Sequence, residues 1–211
     1  MNSPQPEPNG TRQFLLFCLP LLVICFALWG VLGHLVAMPA IGFADYIMVN
    51  WMPELVTEFT FDPEGRGALL VSSLGEYNGR MVPVGDEGGN LAFIVNTMGQ
   101  SYSLPFYTAL YFATPREHYA GSYFRGCLFL YVLLTLGLVS VCLKDLMINL
   151  GPEFRAQDVA MLPSNSVIAV VYQLNALIIP TLGPAVIWVW QSRDTPVLRG
   201  LLPVELNTEE T

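Results

Sequence analysis

The residues of this chain that could form a catalytic centre are a thiol, an imidazole and a guanidinium. In the topology argued below, Cys142, His34 and Arg155 all fall near one face of a membrane. An imidazole and a guanidinium beside a cysteine can hold it as a thiolate, the nucleophile of cysteine transpeptidases and proteases. One alternative is therefore a membrane thiol enzyme with these three catalytic residues.

No local motif supports that alternative. The sequence has no glycine-flanked nucleophile, no zinc-binding HExxH and no P-loop. The favoured interpretation is structural: His34 caps the end of a helix, Cys142 packs, and Arg155 is a loop cation. The four cysteines lack CxxC spacing and paired histidines, which favours packing over disulfides or a metal site. We therefore predict no catalytic residue, no metal and no cofactor.

Polar residues also lie inside the last hydrophobic segment. Tyr172, Gln173 and Asn175 occupy its first half, and Pro180 and Pro184 interrupt its second half. Amides in lipid are costly and usually face other helices, and each proline frees a backbone carbonyl one turn upstream. The favoured interpretation is that these residues make interhelical contacts within the chain. The alternative is that they form a groove that docks a partner or senses a substrate.

The elements that carry these residues are hydrophobic segments long enough to cross a bilayer. Of the 211 residues, 53% are hydrophobic and 12% are charged, whereas soluble domains carry about 25% charged residues. An apolar run of about 18 or more residues indicates a transmembrane helix. We expect a membrane α-helical protein with about four transmembrane helices, at residues 13–37, 99–114, 124–146 and 167–190. The second is short and contains Pro105.

The termini are expected on the cytoplasmic side. The first segment is interpreted as an uncleaved anchor, because no basic region precedes it and its apolar run exceeds the about 7–15 residues of a signal peptide. Lys and Arg prefer cytoplasmic loops, and their slight bias places both residues 1–12 and the tail 191–211 in the cytoplasm. Residues 1–12 and the polar residues 204–211 are expected to be disordered.

Between the first two spans lies the only sizeable soluble piece. Residues 40–56 predict an interfacial amphipathic helix. Four β-type runs separated by turn signals, such as Asn78-Gly79, predict a small extracytoplasmic antiparallel β subdomain at residues 57–98. This subdomain is too small to bury a full core alone. A second extracytoplasmic loop is expected at residues 147–166.

The charge of the chain excludes some partners and functions. A net charge of −8 and a pI of about 4.6 argue against nucleic acid, whose binding depends on Lys and Arg. A further alternative, a small transporter or channel subunit, is disfavoured because no Asp or Glu lies in the core of a predicted span.

Two segments resemble a known family. SYSLPF at residues 101–106, and YQL at 172–174 running into IPTLGP at 179–184, are similar to segments of exosortase H-associated membrane proteins. These are small bacterial inner-membrane proteins encoded beside exosortase H. The order of anchor, β-rich loop and later spans is also similar. The resemblance implies a non-enzymatic accessory protein of an exosortase-type protein-sorting system, with an exosortase and membrane lipid as partners.

The resemblance and the polar residues together predict where partners bind. The predicted partner-binding residues are Tyr172, Gln173, Asn175, Pro180, Thr181, Pro184, Tyr102 and Pro105. The chain does not resemble the sorting enzyme, which would place its Cys ahead of its Arg and His in an eight-span bundle. Here His34 comes first, in about four spans.

Overall fold

Most of the chain is helical, and a four-stranded antiparallel sheet follows the first helix. The computed structural model describes residues 9–77, 80–83, 89–116, 119–156 and 159–201. The helices are α1 (Asn9–Trp51), α2 (Met98–Ser101), α3 (Ser103–Ala113), α4 (Ala120–Leu150), α5 (Glu153–Ala156), α6 (Asn165–Gln173), α7 (Ile179–Ser192) and α8 (Pro196–Leu201). A π-helical turn, Leu174–Ile178, joins α6 to α7. The strands are β1 (Val56–Phe61), β2 (Ala68–Tyr77), β3 (Arg80–Pro83) and β4 (Gly89–Val95).

Three helical segments in the described ranges are long and apolar enough to cross a membrane. They are Arg12–Trp51, Ala120–Leu150 and Asn165–Ser192. This confirms a mostly helical membrane protein with a small antiparallel sheet. The second expected span is formed by α2 and α3, which together extend about 24 Å at 1.5 Å per residue. That length is short of the hydrocarbon core, which is about 30 Å thick.

The first helix differs from the expected division into a span at residues 13–37 and a separate helix at 40–56. Instead, α1 continues without a break through Pro39 to Trp51. A proline inside a helix removes a hydrogen bond and crowds the preceding turn. In this turn the Tyr131 hydroxyl of α4 donates to the Val36 carbonyl at 3.0 Å. This bond joins α4 to α1 close to the proline, although the carbonyl that loses its amide partner is that of Leu35, four residues before Pro39.

Helix α3 is enclosed by α1, α4 and α7. Its Tyr107 and Tyr111 are fully buried. Beyond its last residue, Trp188 of α7 donates its indole N–H to the Thr114 hydroxyl at 2.8 Å and stacks on Phe14 of α1 with ring centroids 5.4 Å apart. The end of α3, the start of α1 and the end of α7 therefore meet at one end of the bundle, away from the sheet.

Arg116 binds the C-terminal end of α7 at the end of the bundle where Phe14 and Trp188 meet. Its guanidinium donates to the Gln191 carbonyl at 3.0 Å and lies 4.1 Å from the centroid of the Tyr111 ring. The Tyr107 hydroxyl donates to the Gln191 side-chain oxygen at 2.7 Å, and the Gln191 amide donates to the Ser122 carbonyl at 3.0 Å. A cation is favourable at the C-terminal end of a helix. These bonds join α3, α4 and α7.

The sheet is built around β2, which pairs with β1 and β3 on one edge and with β4 on the other. Phe59 and Leu70 are cross-strand partners and are buried in one hydrophobic core with Met48 of α1 and Leu146 of α4. The Asp45 carboxylate of α1 accepts the Phe59 backbone N–H at 2.7 Å. The sheet thus shares its core with the long helices, in keeping with its small size.

Some sequence predictions fall on residues outside the described ranges. These are the hairpin turn at Asn78-Gly79 and the disorder expected of residues 1–8 and 204–211. Residues 9–12, which were also expected to be disordered, instead form the start of α1. The tail contains α8, which buries Val197 and Leu198 against the bundle. These two apolar residues of α8 explain why the chain folds back after α7.

The turn between β1 and β2 is held by Asp62, which makes its stability dependent on pH. Its carboxylate accepts hydrogen bonds from the Arg66 guanidinium at 2.9 Å and from the backbone N–H groups of Glu64 and Arg66. The Arg66 side chain, followed by these backbone groups, lowers the pKa of Asp62. A lowered pKa stabilises the folded state above the unfolded value of about 3.9, and this contribution is lost as the pH falls through the folded value.

We therefore expect Asp62→Asn to loosen this turn at pH 6, with a smaller difference from wild type below pH about 4. Amide hydrogen exchange, compared between the two proteins at each pH, measures the effect. Glu58→Gln, which removes a carboxylate from the exposed side of β1, is the control. Equal exchange of the turn in wild type and Asp62→Asn at pH 6 would contradict the prediction.

Candidate functional site

The three residues of the thiol alternative have separate surroundings. Cys142 is fully buried in α4. Arg155 of α5 is exposed, and its Nε donates to Asn165 Oδ1 at 2.9 Å. The His34 ring of α1 lies 6.2 Å from the ring of Phe61. Among the described residues no hydrogen bond joins any two of the three, and no group of His, Cys, Asp and Glu is placed to hold a metal ion.

The two segments that carry the family-like motifs contact each other. Tyr102, between α2 and α3, shares a hydrogen bond of 2.7 Å between its hydroxyl and that of Thr181 in α7. Ser103 and Pro180, the neighbours of these two residues in sequence, line one small cavity against α4. Both segments were predicted to bind a partner, and the structure brings them together within the chain.

Polar side chains beneath this contact face Gly137 of α4. Gln100 and Asn175 are each 7% exposed and line the same small cavity. A Cβ added at Gly137 would lie 3.0 Å from Gln100 Oε1 and 3.8 Å from Asn175 Oδ1, so the glycine allows both amides to approach α4. Asn175 also donates to the Val171 carbonyl at 3.0 Å. Sequence reasoning missed Gln100, although an amide in an apolar segment was the available signal.

A π-helical turn precedes Pro180 in this segment. It begins directly after Gln173, contains Asn175, and ends two residues before Pro180. At its end the Ile179 N–H donates to the Leu174 carbonyl, five residues back. The wider turn accommodates the missing amide proton of Pro180, and single π-helical turns are frequent at functional sites.

The eight predicted partner-binding residues divide by exposure. The buried ones are Asn175, Pro180, Pro184 and Pro105; the half-buried ones are Tyr102 and Tyr172; the exposed ones are Gln173 and Thr181. Packing within the chain accounts for the four buried residues. Because Thr181 is hydrogen-bonded to Tyr102, the side chain that this packing does not explain is Gln173.

Tyr172 faces α4 rather than an open surface. The Lys144 ammonium lies 4.9 Å from the centroid of the Tyr172 ring and pairs with the Asp145 carboxylate at 2.5 Å. Both charged side chains are largely covered, at 24% and 16% exposed. The contact between Lys144 and Tyr172 joins α4 to α6.

Gln173 presents an amide on a surface that is otherwise almost entirely hydrocarbon. The exposed residues close to it along the segment include Val170, Leu174, Leu177 and Thr181, and we call these five residues the Gln173 face. The hydrogen bonds of the described chain include none from the Gln173 side chain. A polar group left without a hydrogen bond in hydrocarbon costs several kcal/mol.

A span centred in the bilayer would place Gln173 in the hydrocarbon region. The candidate span Asn165–Ser192 has 28 residues and is therefore about 42 Å long. Centred in a core about 30 Å thick, it leaves about 6 Å outside at each end. Gln173 lies about 12 Å along the helix from Asn165. An amide at this depth is stabilised when another group donates or accepts a hydrogen bond there.

The fold and this site define a small helical membrane protein whose membrane-spanning segments are joined by polar contacts. The sequence model of one family, the exosortase H-associated membrane proteins, matches residues 8–195. The chain belongs to this family. No curated protein and no solved structure matches it.

Proposed function

We propose that the protein is a non-enzymatic accessory subunit of an exosortase-type protein-sorting system in the inner membrane of a bacterium. The family description associates its members with exosortase H. The observation that carries the proposal is the Gln173 amide, exposed on an apolar helix surface. In this proposal a transmembrane helix of the exosortase covers the Gln173 face and supplies a hydrogen-bonding group to the amide.

A non-enzymatic role is supported by the surroundings of the thiol. A cysteine nucleophile needs an accessible thiolate beside a base or a cation. Cys142 is fully buried, whereas the Arg155 guanidinium is hydrogen-bonded to Asn165 and the His34 ring lies beside Phe61. The buried thiol has the environment of a packing residue.

The proposal includes an orientation, with both termini in the cytoplasm and the sheet outside. Helix α3 leads from the sheet to the end where Phe14 and Trp188 meet, so the chain passes between the two ends four times although α3 is short. An even number of passages leaves both termini on one side. The slight excess of Lys and Arg favours the cytoplasm for that side.

Site-specific photo-crosslinking in native membranes tests the partner. A photoreactive amino acid at Leu177, which is 72% exposed on the Gln173 face, leaves the amide itself intact. The same amino acid at Leu128 of α4, which is 67% exposed, is the control. Capture of an exosortase through position 177 and not through 128 supports the proposal. Equal capture at both positions, or capture of a second copy of this chain alone, would contradict it.

Gln173→Leu is expected to weaken the complex without weakening the fold. Hydrogen bonds between membrane helices contribute on average about 0.6 kcal/mol, up to about 1.7. The exosortase recovered with the tagged protein should therefore fall by about threefold or more. The melting temperature of the purified variant should not fall, because the amide has no hydrogen bond within the described chain.

Thr181→Val is the matched variant for this prediction. It also removes a polar group from the Gln173 face, but it breaks the hydrogen bond to Tyr102. We expect it to lower the melting temperature, which separates an effect on the fold from an effect on binding. Unchanged recovery of the exosortase with Gln173→Leu would show that the amide is not at the interface.

A further inference from the structure

A cleft between α1, α3 and α4 lies beside the hydrogen bond from Tyr131 to Val36, and both of these residues line it. Its volume is about 240 Å³, and it opens sideways out of the bundle. Its α1 wall consists of Cys25, Leu28, Trp29, Leu32 and Val36, with Leu28 and Leu32 exposed at the rim. These residues belong to the segment of α1 that is long and apolar enough to cross a membrane. The cleft therefore opens towards lipid.

The hydroxyl and indole groups in the wall of the cleft are already hydrogen-bonded within the chain. The Tyr123 hydroxyl bonds that of Thr108 at 3.0 Å, and Thr108 also donates to the Leu104 carbonyl. The Tyr131 hydroxyl donates to the backbone of α1, and the Trp29 N–H donates to the Ser101 hydroxyl at 3.1 Å. A polar ligand would find no free hydroxyl or amide here, so the cleft favours a hydrocarbon.

The dimensions of the cleft select among hydrocarbons. From Cys25 to Val36 the α1 wall rises about 16 Å, roughly half of the about 30 Å hydrocarbon thickness. A volume of about 240 Å³ spread over that length is narrow. A transmembrane helix, about 10–12 Å in diameter with its side chains, cannot enter it. A single extended hydrocarbon chain is thin enough to enter the cleft and to lie along α1, as lipid chains lie in a bilayer.

We infer that this cleft binds one acyl chain of a membrane phospholipid. The bilayer supplies this occupant at high concentration, and the exposed rim at Leu28 and Leu32 gives it a lateral entrance. The helices α1, α3 and α4 do not contact one another across the cleft, and an empty cleft would leave its walls without dispersion contacts. The bound acyl chain would supply these contacts. The bound lipid is then a packing element of the bundle, and its binding does not depend on an exosortase.

Photolabelling in proteoliposomes tests this inference on the purified full-length protein. The vesicles contain phosphatidylethanolamine, phosphatidylglycerol and a trace of phosphatidylcholine with a diazirine in mid-chain. After irradiation, the label is located by peptide mass spectrometry. We expect Cys127 and Tyr131, both half-buried in the cleft, to carry more label than Leu19, which is 66% exposed elsewhere on α1.

Leu28→Trp places a large side chain across the rim of the cleft. We expect it to reduce labelling of Cys127 and Tyr131 by about threefold or more, because the new indole takes up space that the acyl chain needs. Leu19→Trp, an equally exposed change outside the cleft, should leave that labelling unchanged. Labelling that simply follows exposure to lipid would overturn the inference, as would labelling unaffected by Leu28→Trp.

Discussion

Gly126→Ala is expected to prevent the close packing of α3 against α4 and to destabilise the protein by about 3 kcal/mol or more. A Cβ at Gly126 would lie 1.9 Å from the Tyr107 hydroxyl oxygen and 2.3 Å from the ring carbon that carries it. Tyr107 cannot move aside easily, because it is fully buried, hydrogen-bonded to Gln191 and stacked on Tyr123. One of the two helices must therefore shift.

Heating the protein in mild detergent with a thiol-reactive dye measures this effect through Cys142, which is fully buried and reacts on unfolding, whereas the partly exposed Cys25 and Cys127 react earlier. Gly30→Ala is the control, because a Cβ at Gly30 meets nothing within 4 Å. Glycine inside a helix is less stable than alanine by about 0.5–1 kcal/mol, so this control should be neutral or stabilising. In a Tyr107→Leu background, Gly126→Ala should cost less than in wild type. An unchanged cost would contradict the proposed clash.

The long helices and the sheet could be predicted because their signals are local. A run of about twenty apolar residues identifies a membrane span. Turn-forming residues between the short apolar runs identify the strands. The continuation of α1 through Pro39 could not be predicted in this way. A tertiary contact close to the proline, from the Tyr131 hydroxyl to the Val36 carbonyl, joins residues 95 positions apart in sequence. The short α3 is likewise set by its enclosure between α1, α4 and α7.

The residue types of the candidate site could be predicted, but not the direction in which each side chain points. Gln173 and Asn175 are two amides of the same segment, yet one is exposed and the other buried. They lie two positions apart, so a helix points them to nearly opposite sides, about 200° apart, but the residue types do not show which of the two faces inwards. The contact of Tyr102 with Thr181 joins residues 79 positions apart. Gly126 gave no local signal, because its role is defined by the space that Tyr107 needs.

Arg116→Ala is expected to free the end of α7 and to lower stability by about 2–4 kcal/mol, the sum of charged hydrogen bonds and a cation–π contact. The guanidinium donates to the Gln191 carbonyl and the Ser192 hydroxyl, and it lies over the Tyr111 ring. Burial lowers the pKa of Arg116, but an arginine stays charged in proteins. Its removal leaves the carbonyl at the C-terminal end of α7 without this partner.

Arg116→Lys should recover only part of this loss, because an ammonium cannot bond the carbonyl and the hydroxyl with the planar fork of a guanidinium. Arg125→Ala is the control, since Arg125 is exposed and donates to Ser122 three residues before it in α4. We expect a change within about 0.5 kcal/mol for this control. The same dye measurement ranks the three variants. If Arg116→Ala were as stable as Arg125→Ala, the attachment of α7 would have to rest on Trp188 and Gln191 instead, and these two residues would become the next to substitute.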